Sequence, residues 1–246
     1  MKALIDAEYY LYRAAAGAQI ETEWDTDVWT YVCRHDDAKE AFQDAMADFI
    51  KATPDHDPVL VFSSGLSFRY SVWPDYKGNR KDLRRPAGYR QLTQWVSDVA
   101  DGRGWKVETL RDVEGDDVLG ILYEEGDVIV STDKDMLTLP GRHYRDGGFL
   151  EISRREADLA FYCQALVGDR SDHYPGCPTY GPVKATELLA GAMTELEMWS
   201  RVVGAYEKKG FSERYALAQA RCARILRAGE YDHSRGVPLL WNAPVT

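Results

Sequence analysis

Four short apolar runs, ALI (3–5), VLVF (59–62), KVETL (106–110) and VIVS (128–131), are separated by segments of helical periodicity, and this alternation restricts the fold more than any other feature. Strands of four or five residues that alternate with helices pair in parallel and need cover on both faces. The clearest helix is DDAKEAFQDAMADFIKA, where Ala38, Ala41, Phe42, Ala45, Met46, Phe49 and Ile50 recur at intervals of three and four and predict one buried stripe. PDHDP ends it. From about residue 153 the pattern becomes helical, with ADLAFYCQALVG, PVKATELLAG, TELEMWSRVVGAYEKKG and SERYALAQARCARILRAG as successive helices, several stopped by glycine. The expected architecture is α/β: a mostly parallel central sheet flanked by helices over residues 1–152, then a helical part over 153–246.

Acidic residues gather where these strands end. ALI runs into Asp6, VIVS is followed by Asp133 and Asp135, and EGDD (114–117) opens a helix after KVETLRDV. In an open parallel sheet the carboxyl edge is where ligands bind, so Asp6, Glu114, Asp116, Asp117, Asp133 and Asp135 are expected to converge there. A further cluster in GDRSDHYPG offers Asp169 and Asp172, which share a face if the turn is helical.

Two carboxylates about 4 Å apart repel by roughly 4 kcal/mol at an effective dielectric of about 20. Such a group destabilises the fold unless protonation, nearby cations or bound metal ions offset the repulsion. Oxygen ligands alone select hard cations, Mg²⁺ or Mn²⁺ rather than zinc, and a pair of them about 4 Å apart activates water and stabilises a leaving oxygen in phosphodiester cleavage. Taken singly, EGDD also reads as an ordinary helix cap and STDKD as a solvated turn. Their joint placement favours metal binding.

The net charge of −10 argues at first against nucleic acid. Yet RYSVWPDYKGNRKDLRRPAGYR (69–90) holds seven Lys or Arg against two Asp, a local balance of +5 that leaves −15 for the rest of the chain. Tyr70, Trp73, Tyr76 and Tyr89 are interleaved with these cations, which favours DNA contact over a solvated loop. Cys33, Cys163, Cys177 and Cys222 show neither a C-x-x-C pair nor zinc-like spacing to His. No apolar run approaches the roughly 20 residues of a membrane span, and the N-terminal MKALIDAEYYLYR does not read as a signal peptide, so the cytoplasm is the expected location.

In order, Asp6, YKGNRK (76–81), EGDD, STDKD (131–135) and GDRSDHYPG (168–176) resemble the motif series of the 5′-nuclease (flap endonuclease) superfamily. The likeness is strongest to the 5′-3′ exonucleases of T-odd tailed bacteriophages and includes ARILRAGEYD (223–232) and LLWNAP (239–244). The resemblance implies a PIN-like core and a helix-turn-helix-like DNA-binding C-terminal part. It implies one metal site at Asp6 and the EGDD acids, and a second at Asp133, Asp135, Asp169 and Asp172. It places 69–90 in an arch or clamp, with Lys77 and Arg80 as catalytic cations. Arg69, Lys81, Arg84 and Arg85 then guide the strand and Tyr76 stacks on a base, chemistry suited to phosphate and single strands.

PGCPTYGPVKATELL resembles the family's backbone-holding segment, so Gly176, Gly181 and Lys184 are expected duplex contacts, with a potassium ion in the turn. Thr179 departs from the family pattern, which has Gly there. Ser64 in VFSSG stands where the family has a metal-binding Asp, which implies a weaker or more hydrated first site. The implied activity is Mg²⁺-dependent 5′ to 3′ cleavage of duplex or flapped DNA and of the RNA strand of RNA/DNA hybrids, by a monomer in the infected host's cytoplasm. A Toprim-type phosphotransfer enzyme shares the Glu and D-x-D acids but leaves YKGNRK and GDRSD unexplained. A non-catalytic DNA-end or flap binding protein has no use for eight acids that repel DNA.

Overall fold

The computed structural model describes residues 1–80 and 83–244. In chain order, β1 (Lys2–Asp6) runs directly into α1 (Ala7–Gly17), followed by a hairpin of β2 (Gln19–Asp25) and β3 (Val28–Cys33), then α2 (His35–Ala52) and β4 (Asp57–Phe62). The single turn α3 (Arg69–Val72), α4 (Tyr89–Val99), β5 (Lys106–Thr109), α5 (Gly115–Leu122) and β6 (Val128–Val130) come next. The second half adds β7 (Gly141–Arg145), β8 (Gly148–Ile152), α6 (Arg154–Val167), α7 (Pro182–Leu189), α8 (Glu195–Glu207), α9 (Glu213–Ala223) and a short pair, β9 (Tyr231–Asp232) with β10 (Val237–Pro238).

The six-stranded sheet has the order β5, β4, β1, β6, β7, β8. Its first five strands are parallel and β8 returns antiparallel along β7. Period-two alternation splits each strand between two cores. Ala3, Ile5, Leu60, Phe62, Val128 and Val130 pack under α1, α2 and α4. Leu4, Val59, Val61 and Ile129 face the other way, against Val118 and Leu119 of α5 and against Ile225 and Leu226. The chain turns from β1 to β4 on one side and later to β6 on the other, so the strand order reverses at β1. That reversal opens a crevice beyond the carboxyl end of β1, between its neighbours β4 and β6.

The helical stripe of α2 is narrower than its spacing predicts. Ala38, Phe42, Met46 and Phe49 are buried, whereas Ala41 and Ile50 face outward, because the continuous 3.6-residue period carries them past the contact face. The long helix expected over SERYALAQARCARILRAG stops at Ala223. Its tail leaves the helix so that Ile225 and Leu226 enter the core beside α5. The α6–α9 region closes over a third core of Phe161, Tyr162, Leu166, Trp199, Tyr206 and Trp241. Among the described residues no helix is long and apolar enough to cross a membrane.

Candidate active site

The acids sit at the carboxyl edge of the sheet, brought there by β1, β6 and the start of α5. Asp6 ends β1 and caps α1, its Oδ1 accepting the Tyr9 amide at 3.2 Å and its Oδ2 the Ser131 hydroxyl at 2.9 Å. Ser131, buried after β6, also accepts the Asp133 amide at 3.1 Å, so one hydroxyl ties the first strand's acid to the STDKD turn. Asp133 in turn caps a short 3₁₀ turn by accepting the Asp135 amide at 2.9 Å. Burial, followed by the charges of Glu8 and Asp133, pushes the Asp6 carboxyl up to about 6. Burial and Asp133 push Asp135 to about 6 as well. Asp116 is driven well above the ordinary carboxylate range by burial and then by Asp6, Asp133, Glu114 and Asp117, and it gains no hydrogen bond or ion pair from the described residues.

Asp117 has the opposite environment, which corrects its assignment as a metal ligand. Fully buried, it receives Arg69 Nη1 at 2.6 Å and Nη2 at 2.8 Å, the Glu114 amide at 3.0 Å and the Leu226 amide at 3.0 Å. All of its accepting capacity serves the fold. The same pairing corrects Arg69, which is 2% exposed, also donates to the Cys222 and Arg224 carbonyls, and has no path to a DNA strand. Tyr76 is 2% exposed, and its hydroxyl donates to Glu114 at 2.9 Å and Asp172 at 2.7 Å, so its ring is not free to stack on a base.

Lys77 pairs with Glu114, and Arg80 Nη2 with Asp172 at 2.5 Å. Burial works against ionisation of Glu114, but Arg69 and Lys77 outweigh it and hold that carboxyl below its usual range. The backbone underneath is fixed: the Lys77 amide donates to the Asp172 carbonyl at 2.8 Å, Asn79 Nδ2 to the Arg170 carbonyl at 2.9 Å and Arg80 Nε to the Ser171 carbonyl at 2.9 Å. The first half of the basic stretch is therefore docked on the 169–173 turn rather than raised as an arch. That turn is not helical. It is closed by Asp169 Oδ1, which accepts the Ser171 and Asp172 amides, and by the Asp169 to Tyr174 bridge. Asp172 faces Tyr76 and Arg80, while Asp169 lies 3.7 Å from Lys134 Nζ.

Among the described residues no group of three or more His, Cys, Asp or Glu is arranged to hold an ion as it stands. Glu114 and Asp172 are moreover paired with Lys77 and Arg80, and those pairs must open before either carboxylate can serve an ion. The donor chemistry nonetheless fits a hard divalent ion, since Asp6, Asp116, Asp133 and Asp135 offer only oxygens and repel one another.

The remaining expected DNA contacts divide. Arg84 and Arg85 are exposed and lie over the rings of Tyr31 and Tyr89, at 3.6 and 5.0 Å. Lys81 lies outside the described residues. Gly181 caps α7 and is exposed, as is Lys184, which reaches over Tyr180. Gly176 is buried with its amide given to Gln219, and an added Cβ would stand 2.4 Å from the Gly168 amide, so it serves close backbone packing rather than phosphate. Thr179 adopts φ 71°, the left-handed conformation that favours glycine at that place.

Ser64 does not face the acids. Its hydroxyl donates to the Leu66 and Val113 carbonyls at 3.1 and 3.2 Å. Its neighbour Ser63 does, donating to Glu8 and accepting the Gly115 amide at 2.9 Å. Sequence reasoning missed Glu8, Ser63 and Ser131. The spacing of Glu8 two residues after Asp6 was the one available signal.

Residues 1–147 match the family model described as the N-terminal resolvase-like domain of 5′-3′ exonucleases. The exodeoxyribonuclease of Enterobacteria phage T3 is 25% identical over a 279-residue alignment that covers 97% of this chain and 91% of that protein. The exonuclease of Escherichia phage T7 is likewise 25% identical, with 97% and 92% covered. Among solved structures, the T5 D15 protein co-crystallised with metal ions superposes with a TM-score of 0.62 at 16% identity, covering 90% of this chain and 88% of that one. The catalytic core of Rad2 in complex with DNA substrate gives 0.55 at 14% identity, with 99% and 84% covered. These likenesses confirm the mostly parallel, helix-flanked sheet, and with the family model matching more than half of its length the chain belongs to the 5′-3′ exonuclease family.

Proposed function

We propose that this chain is a divalent-ion-dependent phosphodiester hydrolase that degrades duplex or flapped DNA from its 5′ end, and the RNA strand of RNA/DNA hybrids. The observation that carries the reading is the meeting of carboxylates from β1, α5 and the turn after β6 at one sheet edge, with Lys77 and Arg80 seated beside them. Asp6, Glu114 and Asp116 would hold one Mg²⁺, and Asp133, Asp135, Asp169 and Asp172 a second, with Mn²⁺ as a substitute. Bound there, such ions lower the pKa of water and neutralise charge on the phosphate.

The chain's own residues supply positioning. Lys77 and Arg80 exchange their carboxylate partners for the scissile phosphate, where a point charge and a planar fork stabilise the developing negative charge. Arg84 and Arg85 guide the strand. Gly181 and Lys184 hold the duplex backbone at the start of α7, and a potassium ion in the 175–181 turn belongs to the same reading. Residues 1–152 form the nuclease core and 153–246 the DNA-holding part of a monomer working in the infected host's cytoplasm.

The test is digestion of a linear duplex labelled separately at its 5′ and 3′ ends, with Mg²⁺ or with chelator. Early Mg²⁺-dependent release of short products carrying the 5′ label is expected. Binding without cleavage under both Mg²⁺ and Mn²⁺ would make the chain a protein that only holds DNA ends.

A further inference from the structure

Glu8 is a further carboxylate at this sheet edge. It sits on the first turn of α1, two residues after Asp6, half-buried and without a cation partner among the described residues. Two hydroxyls hold it. From the end of β4 the Ser63 hydroxyl donates to Glu8 Oε2, and the same hydroxyl accepts the Gly115 amide at 2.9 Å. From α4 the Tyr89 hydroxyl reaches Oε1 at 3.4 Å. Gly115 opens α5 immediately before Asp116, and a Cβ built on it would lie 3.5 Å from both Glu8 Oε2 and Ser63 Oγ. That is ordinary van der Waals contact, so Glu8 and Ser63 are packed directly against the start of α5. A surface glutamate has no need of such a cradle, and a half-buried one without a cation raises the electrostatic cost of a site already rich in acids.

We propose that Glu8 is a positioning carboxylate of the active site, oriented by Ser63 and Tyr89 to add negative charge beside Asp6 and Asp116 and to hold the hydration shell of a divalent ion there. This rests on the reading of the site as a divalent-ion-dependent nuclease. Groups that orient an ion's water and ligands typically change affinity by roughly 10- to 100-fold when removed. Glu8 touches no reacting atom, so its loss acts on ion binding more than on the saturated rate.

The experiment compares Glu8→Gln, Ser63→Ala, the double variant Glu8→Gln/Ser63→Asp and Asp116→Asn. Two titrations with Mg²⁺ are read: release of 5′-labelled product from duplex DNA, and thermal melting of the protein without DNA. Glu8→Gln is expected to raise both midpoints by roughly tenfold while cleavage at saturating Mg²⁺ stays within a few-fold of wild type. Ser63→Ala, which keeps the charge but removes its holder, is expected to shift them the same way by less. In the double variant a carboxylate returns at position 63, just after β4, and both midpoints are expected to recover.

Unchanged midpoints in Glu8→Gln, or no recovery in the double variant, would overturn the proposal. If Glu8→Gln does not fold, Ser63→Ala decides, and an unchanged midpoint overturns it. Asp116→Asn separates the two levels. An inactive Asp116→Asn beside a wild-type-like Glu8→Gln removes the proposal alone, whereas an Asp116→Asn protein that still cleaves and still responds to Mg²⁺ removes the functional reading with it.

Discussion

Asp116 and Asp117 are neighbours in sequence and opposites in environment. Successive residues of a helix point about 100° apart, so the first turn of α5 sends Asp117 into the core and Asp116 toward the sheet edge. Asp117 meets Arg69 and two backbone amides, and every oxygen is satisfied. Asp116 meets Asp6 and Asp133 and nothing that neutralises it among the described residues. One acid is stabilised by the fold and the other is tolerated by it. Uncompensated charge, rather than acidity of the motif, is therefore the mark of a position available to a cation.

Exchanging each acid for its amide should give mirror-image results. Asp116→Asn is expected to lower cleavage by on the order of 1,000-fold at unchanged or slightly higher stability, because the proposed ion loses a carboxylate while the fold loses only a repelling one. Asp117→Asn is expected to cost about 3–5 kcal/mol in urea unfolding, because Arg69 is left buried without its charge partner. Replacing both partners, as Arg69→Met with Asp117→Leu, should recover part of that loss, since an apolar pair leaves no orphaned charge. A cost for Asp117→Asn below about 1 kcal/mol would break the comparison, placing that pair with weak surface bridges.

Lys77 sharpens the contrast from the cation side. Arg69 and Lys77 both pair with acids of EGDD, but Arg69 is sealed in the core and Lys77 stands at its margin. Lys77→Met is expected to reduce the cleavage rate at saturating Mg²⁺ by roughly 100-fold, the typical loss of one charge-stabilising donor. Denaturant midpoint should move little. A large stability loss with preserved cleavage would show that Lys77 resembles Arg69 after all.

The fold was largely legible because its signal is local and repetitive. Short apolar runs identified β1, β4, β5 and β6, and a carboxyl-edge site followed from their parallel pairing. The hairpin β2–β3 and the antiparallel β8 were not anticipated: β2 and β8 are mostly exposed and broken by acidic residues, and β3, apolar in VWTYVC, leaves most of its side chains facing solvent. The site was legible at the level of motif and not of rotamer. Nothing in EGDD says which aspartate will find an arginine from position 69, nor that Tyr76 will turn inward across 96 residues of sequence to reach Asp172. Those outcomes depend on tertiary partners that periodicity does not encode.

The uncompensated acids also give the ion-free protein a recognisable pH response. Asp6 and Asp135, at about 6, lie above the ordinary carboxylate value of 3.8, so between about pH 4 and 6 the native state binds more protons than the unfolded chain. Their contribution is therefore full at low pH and is lost as pH rises through about 6. His143 works the other way, since burial lowers its pKa below 6.5 and its contribution fades as pH falls through that value. Asp6→Asn keeps the cap acceptor but not the charge. Melting of wild type relative to Asp6→Asn, without divalent ions, should thus decline between about pH 4 and 6 and level off above that, and saturating Mg²⁺ should flatten that decline by favouring the ionised form. A difference that rises with pH in the absence of ions would place Asp6 with the compensated acids.

The smallest expected effect separates the two serines that follow β4. Ser64 donates to the Leu66 and Val113 carbonyls, an environment suited to a hydroxyl and not to an anion, whereas Ser63 faces Glu8 and the Gly115 amide. Ser64→Asp would set a carboxylate against two carbonyl oxygens and remove a donor from them, at a cost of about 1 kcal/mol given the partial exposure of the site. The midpoint of Mg²⁺-dependent cleavage should stay within about twofold of wild type, because the new charge points toward the Leu66 and Val113 carbonyls and not toward Asp6 or Asp116. A clearly tightened Mg²⁺ titration would mean that the loop after Phe62 turns to bring position 64 to the acids, and that the compensated side of the comparison reaches less far than the hydrogen bonds of Ser64 imply.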